Sequence, residues 1–164
     1  MNSLEMLRSD DPLDIIDALF KIGAGEKTDL DLPLRLRIEE LVNHDDSEVR
    51  EQVVACAGVR LRVKEMFPIF WRRLSGDEKN PAVILTLIDA VTALVHHGEG
   101  SRDALTRLLN GYLFSELMPD EIRGSACLAM LRLWEKISPR EYATAPRRLS
   151  EMTFDLEELR KLMD

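Results

Sequence analysis

The chain has 164 residues, 45% hydrophobic and 32% charged, with a formal net charge of −8. Such a length and apolar share bury a real core and exclude a disordered chain. The acidity is concentrated in residues 1–50, where 13 acidic face 6 basic groups; this argues against nucleic acid or an anionic membrane as partner and permits a basic protein partner, although solvated acidic faces are commonplace.

The opening MNSLEMLRSDDP lacks the apolar segment of a secretory signal. The longest apolar stretch, Ala82 to Val95, contains Asp89 and is too short to span a bilayer. Cys56 and Cys127 each stand alone inside apolar helical patterns, as reduced core residues do. A cytoplasmic protein is expected.

Taken in chain order, the predicted elements are helices. Asp11-Pro12 sets a capping carboxylate before proline at the first helical position, and Gly23 marks the stop, giving a helix near 12–22. Pro33 opens a second, about 33–43. Asp45-Asp46-Ser47-Glu48 caps a long third, about 47–63. A fourth, about 65–74, carries Pro68 in its first turn, where proline is tolerated. Asn80-Pro81 starts a fifth, 81–97, closed by Gly98, and Ser101 caps a sixth, about 102–113. Asp120 caps a seventh, 121–136. Ser138-Pro139-Arg140-Glu141 is a capping box that opens an eighth, which Pro146 interrupts. A last helix is expected near 154–163. The run from Val83 to Ile88 suits a buried strand by itself, but its flanks favour a buried helix.

The long helices repeat. Aligned on their first apolar residue they begin at Val49, Val83, Ile122 and, weakly, Leu156, which are 34, 39 and 34 residues apart. Asp45 and Asp46 before Val49-Arg50, followed by Val53, Cys56 and Ala57, resemble the HEAT-repeat (armadillo-like) family. Ile122-Arg123 with Ala126, Ala129 and Met130 is similar to it too, and Pro33 and Pro68 fall where that family places its first-helix proline. The middle copy departs, with Ile84 in place of the arginine.

The resemblance implies an all-α chain, a right-handed α-solenoid of about four antiparallel helix pairs. It would form one domain over 1–164, with repeats at about 32–64, 65–98 and 101–137, a degenerate pair at 138–164, and an N-terminal capping helix at 11–23. Counting Val49, Val83 and Ile122 as position 1, positions 1, 5, 8 and 12 share one face. They are wholly apolar in two copies and form the expected core; Arg60 is the exception, its stem long enough to reach solvent.

Positions 3, 7, 10 and 14 lie opposite, and the resemblance puts them on a concave inner surface. The candidate partner-binding residues there are Glu51, Ala55, Arg62, Leu85, Asp89, Thr92, His96, Leu128, Leu131 and Glu135. Either this surface is a partner groove or so short an array fills it with its own packing. If Leu85, Leu128 and Leu131 form an exposed strip, two copies would pair through it.

Catalytic signatures are missing. His96 and His97 point about 100° apart on a helix and cannot share one metal. There is no His-x-x-x-His, Cys-x-x-Cys or Glu-x-x-His pattern, and Gly23-Ala24-Gly25 ends a helix instead of opening a phosphate loop. Arg72-Arg73 beside Phe67, Phe70 and Trp71 suits either a phosphate site or aromatics in the core with arginines in solvent. No cofactor or metal is expected. The function expected is a non-catalytic protein-binding scaffold or regulator, in a narrower version an inhibitor or immunity-type protein. The alternatives are an enzyme on the same scaffold, of the alkylated-DNA-repair or bilin-lyase kind, and a structural self-assembling subunit.

Overall fold

The computed structural model describes residues 2–25, 30–153 and 155–161, and every regular element among them is a helix. They fall into two compact units, residues 1–94 and 95–164.

In the first unit, α1 (Ser3–Met6) is a single turn closed by an Asn2–Glu5 capping box. It was not expected from the sequence, and it carries the chain to Leu7, a fully buried residue whose carbonyl accepts from Arg37 Nε at 2.9 Å. Helix α2 (Pro12–Ala24) begins as predicted, with Asp11 accepting from the Leu13 backbone N–H. It ends later than predicted, because Gly23 is not a stop. A Cβ at Gly23 would lie 2.9 Å from Arg60 Cδ and 3.4 Å from Cys56 Cα, so Gly23 marks the close approach of two helices. Helix α3 (Leu32–Leu41) carries Pro33 in its first turn behind the capping Asp31.

Helix α4 (Ser47–Val53) packs against α2 and continues as a wider π-helical stretch, Val54–Arg60. Its inward positions Val49, Val53 and Cys56 are closed to solvent, as expected of the core face, and Val54, Ala57 and Gly58 are buried with them. The predicted fourth helix is composite: a 3-10 turn (Lys64–Met66), α5 (Phe67–Arg72) and a π turn (Arg73–Asp77) that ends at Gly76, φ 151°. Helix α6 (Pro81–His96) follows, and Val83, Leu87, Ala90 and Leu94 on its expected core face are all buried. The run 83–88 is helical throughout.

In the second unit, α7 (Arg102–Phe114) and α8 (Asp120–Leu133) pack along each other. Asp120 is the first residue of α8 and not its cap, a place taken by Pro119. Every residue from Gly124 to Leu131 is buried. One neighbouring helix cannot achieve that. Further cover comes from α9 (Pro139–Thr144), which ends before Pro146 as expected, from the 3-10 turn Leu149–Glu151, and from α10 (Leu156–Lys161). The predicted last helix is thus shorter than 154–163, of which 154, 162 and 163 lie outside the described residues.

Candidate functional site

The sequence-derived inner set divides sharply by exposure. In the first unit Glu51, Ala55, Leu85 and Asp89 are half-buried and open to a ligand. Glu51 Oε1 accepts from Thr86 Oγ1 at 3.5 Å, which links α4 to α6. Thr92 is buried, its hydroxyl oxygen without a hydrogen-bond partner. Gly58, on the same face, is shut because a Cβ there would lie 2.5 Å from that of Ala90. In the second unit Leu128 is 0% and Leu131 8% exposed, and neither reaches the surface. The strip of Leu85, Leu128 and Leu131 is therefore not an exposed pairing surface. The physical reason is local: on the same face of α8, Gly124 lies directly beneath the Arg147 carbonyl, 1.9 Å from where a Cβ would stand.

Arg62 and Glu135 are exposed, but they are not on a helix face. Both have left-handed backbones, φ 51° and φ 55°, just past the ends of their helices. Each stands 13 residues after the helix's first apolar residue, Val49 or Ile122, and the next N–H turns back to a helical carbonyl. Val63 donates to Ala57 at 2.8 Å and Lys136 to Leu131 at 2.8 Å. These are C-terminal caps of the Schellman kind, built without glycine. The first spans one residue more because its helix has widened into a π turn.

His96 is half-buried, with its Nε2 3.2 Å from Arg132 Nη2. A guanidinium only donates, so Nε2 accepts and the imidazole is neutral with its proton on Nδ1. Burial is the first cause holding its pKa below the ordinary value, and the charges of Arg132, His97 and Arg102 add to it against Glu135.

The strongest polar cluster belongs to the first unit. Glu78, 3% exposed, receives Arg50 on both oxygens at 3.0 Å, Arg73 at 3.4 Å, and the backbone N–H groups of Lys79 and Asn80 at 3.1 and 3.0 Å. Burial alone would raise its pKa. The hydrogen bonds from Arg50 and the two amides outweigh burial and hold the carboxyl below its usual range. Arg50 also donates to the carbonyls of His44 and Asp45, at 2.8 and 2.9 Å, and Arg73 to Asn43 at 2.8 Å. The partners are all groups of the fold itself, so the cluster clasps the loops before α4 and α6 together. Of the Arg72-Arg73 pair, only Arg72 faces solvent; Phe70 is core, while Phe67 and Trp71 are half-buried.

Other chemistry is thin. No group of three or more His, Cys, Asp or Glu suited to a metal occurs among the described residues. Burial pushes the Cys56 and Cys127 thiols up to about 11, which leaves little thiolate at neutral pH. A cavity of about 360 Å³ is lined by Leu30, Arg35, Leu61, Arg62, Val63, Lys64 and Glu65. Of its three cations, Arg35 pairs with Glu39 and Glu65, at 3.5 and 3.6 Å. Among the described residues no helix is long and apolar enough to cross a membrane.

What the inner-face reasoning missed lies on α2 and α3. Leu13 is 69% and Phe20 53% exposed, at i and i+7 on α2, with exposed Asp10 and Asp17 beside them. Arg60 stacks on the Phe20 ring at 4.8 Å. Leu32 and Leu36 are exposed one turn apart on α3. The signal was available: α2 holds Leu13, Ile15, Ile16, Ala18, Leu19, Phe20 and Ile22, more apolar residues than one buried stripe needs.

No family model matches the chain, and comparisons with curated proteins and with solved structures return no match.

Proposed function

We propose that this chain is a non-catalytic protein-binding module, a short right-handed array of HEAT-like helix pairs, that takes a basic, amphipathic segment of a partner. Two correspondences support the repeat. The arginines after Val49 and Ile122 each reach back across the preceding connection, Arg50 to the His44 and Asp45 carbonyls and Arg123 to the Leu113 carbonyl in the last turn of α7, at 2.8 Å. The caps at Arg62 and Glu135 share one register position as well.

The binding reading is carried by the outward face of α2. Exposing single leucines is ordinary, but among the described residues four of the six large exposed apolar ones fall within residues 13–36, in the chain's most acidic third. Apolar anchors in an acidic segment, with Asp10 and Asp17 beside Leu13 and Phe20 and Asp17 paired to Lys21, favour a ligand with apolar anchors and cations. Glu51, Ala55, Leu85 and Asp89 are the open part of the inner surface and would extend the contact.

The test is a backbone NMR titration of the whole chain with a lysine–leucine amphipathic helical peptide and its glutamate–leucine counterpart. The lysine peptide should shift resonances of residues 13–21, weaken with salt, and bind about tenfold more weakly to Phe20→Ser, the cost of losing one interface anchor. Equal binding of both peptides would refute the basic-partner reading, and shifts confined to Glu51, Leu85 and Asp89 would move the site to the inner surface.

A further inference from the structure

The cavity beyond the π-helical stretch gathers cations in a chain of net charge −8. Arg35 reaches it from α3, and Arg62 and Lys64 from the connection that follows Arg60. Among its described lining residues Glu65 is the one carboxylate, so three positive charges against one negative leave a net of +2. Leu30, Leu61 and Val63 supply an apolar wall, and a volume of about 360 Å³ falls in the range of small-molecule sites.

Two of these cations are held in unfavourable states. Arg35 Nε is sealed from water and donates to no acceptor among the described residues. Its carboxylate neighbours, Glu39 at Nε and Glu65 at Nη1, stand at 3.5 and 3.6 Å, which are ion-pair distances and not good hydrogen bonds. A buried donor left without an acceptor is rare in a folded chain and marks a place where an acceptor belongs. Arg62 is exposed at φ 51°, a region that penalises every residue with a side chain, and is locked there by the Val63 N–H on the Ala57 carbonyl. Glycine would form the same cap without strain; arginine brings a charge to the cavity.

We propose that this cavity binds a small phosphomonoester. A phosphate monoester carries about −1.5 to −2 at neutral pH, which matches the +2 lining, whereas a carboxylate would leave one charge uncompensated. A phosphate oxygen accepts from Arg35 Nε, Arg62 and Lys64 neutralise the remaining charge, and the organic group lies against the apolar wall. The site shares no residue with the exposed apolar set of α2 and α3 or with the open inner residues, so it stands or falls apart from the protein-binding reading.

The test is an NMR titration of the whole chain, at fixed ionic strength, with phenyl phosphate, inorganic phosphate and benzoate. The Arg35 Nε–H signal and the amides of residues 61–65 are followed. Phenyl phosphate should shift them saturably. Inorganic phosphate, without a ring for the wall, and benzoate, with a single charge, should each bind about tenfold more weakly. Arg62→Gly removes the cation from a cap that glycine suits, so it stays folded, and should weaken phenyl phosphate at least about tenfold. Glu65→Gln removes the carboxylate that competes for Arg35 and should tighten binding. Shifts that never saturate, equal affinity for benzoate, or an unchanged affinity in Arg62→Gly would overturn the proposal, and so would weaker binding by Glu65→Gln.

Discussion

Arg50 grips Glu78 with two parallel hydrogen bonds of 3.0 Å across 28 residues of sequence, and the carboxylate is almost wholly withdrawn from water. Two loops are joined by it: the turn before α4, held through the His44 and Asp45 carbonyls, and the loop before α6, held through the Lys79 and Asn80 amides. Breaking a buried pair from one side strands the other charge. Glu78→Ala should therefore cost about 3–5 kcal/mol in urea unfolding. The pH dependence has a definite sign. Glu78's folded pKa lies below its unfolded value, so its contribution is complete above the unfolded pKa of about 4.3 and is lost as pH falls through the folded value. Glu78→Gln should flatten the acid limb of the stability curve, and an acid limb identical to wild type would refute the assignment.

Gly58 should resist the substitution that helix propensity recommends. Alanine in a helix interior gains about 1 kcal/mol over glycine. Here the added methyl would stand 2.5 Å from Ala90 Cβ and 3.0 Å from the Phe70 ring, and neither neighbour is a flexible tip. Overpacking costs about 1–3 kcal/mol, so the clash wins and Gly58→Ala should destabilise. Restoring space with Ala90→Gly should recover part of the loss in a double-mutant cycle. Strict additivity would mean that the two sites do not touch.

These cases show why local features were legible and covering features were not. Asp11-Pro12 and the Ser138–Glu141 box are decided within one turn of chain, and both form as read. Periodicity likewise identified Val49, Val83 and Ile122 as inward. It could not say what lies over the opposite face of α8, because residues 146–152 meet α8 partly through backbone at Gly124, a contact that no side-chain pattern announces. Leu128 and Leu131, candidates for the inner surface, are buried, which is the self-packing alternative. Gly23 was misread for a related reason: a glycine that ends a helix and one that admits a neighbour look alike until Arg60 and Cys56 are in place. Arg62 and Glu135 were counted as helical because nothing in a non-glycine residue announces a left-handed cap.

That cap makes a stabilising substitution available. Glu135 is exposed and holds φ 55°, a region costing a side-chain-bearing residue roughly 1 kcal/mol. Glu135→Gly removes that strain at some expense in unfolded-chain entropy and should raise stability by about 0.5–1 kcal/mol. Glu135→Ala keeps the strain and should not. A thermal melt of the two variants separates the backbone effect from loss of the carboxylate, since both lack it.

The thiols offer a probe of the core that needs no mutation. Cys56 and Cys127 are fully buried, and burial raises both to about 11. An aromatic disulfide reagent at pH 8 should find no rapidly reacting thiol in the native chain and two in denaturant. The slow native reaction should follow opening of the core and accelerate in Glu78→Ala. Prompt labelling of one thiol in the wild type would show that its helix is not packed as described.

His96 titrates under constraints that can be altered one at a time. Its folded pKa lies below the ordinary 6.5, first through burial and then through Arg132, His97 and Arg102. Stability from the neutral ring is therefore present above the unfolded pKa and lost as pH falls through the folded one. Protonation also costs the ring its acceptor, so the 3.2 Å contact with Arg132 must break when the charge arrives. A nitrogen-detected NMR titration should find the proton on Nδ1 and a midpoint below 6.5. Arg132→Gln removes a repelling charge and should raise that midpoint, whereas Glu135→Gln removes the one attracting carboxylate among the named causes and should lower it. A proton on Nε2 at neutral pH would contradict the geometry directly, because two donors would then face each other.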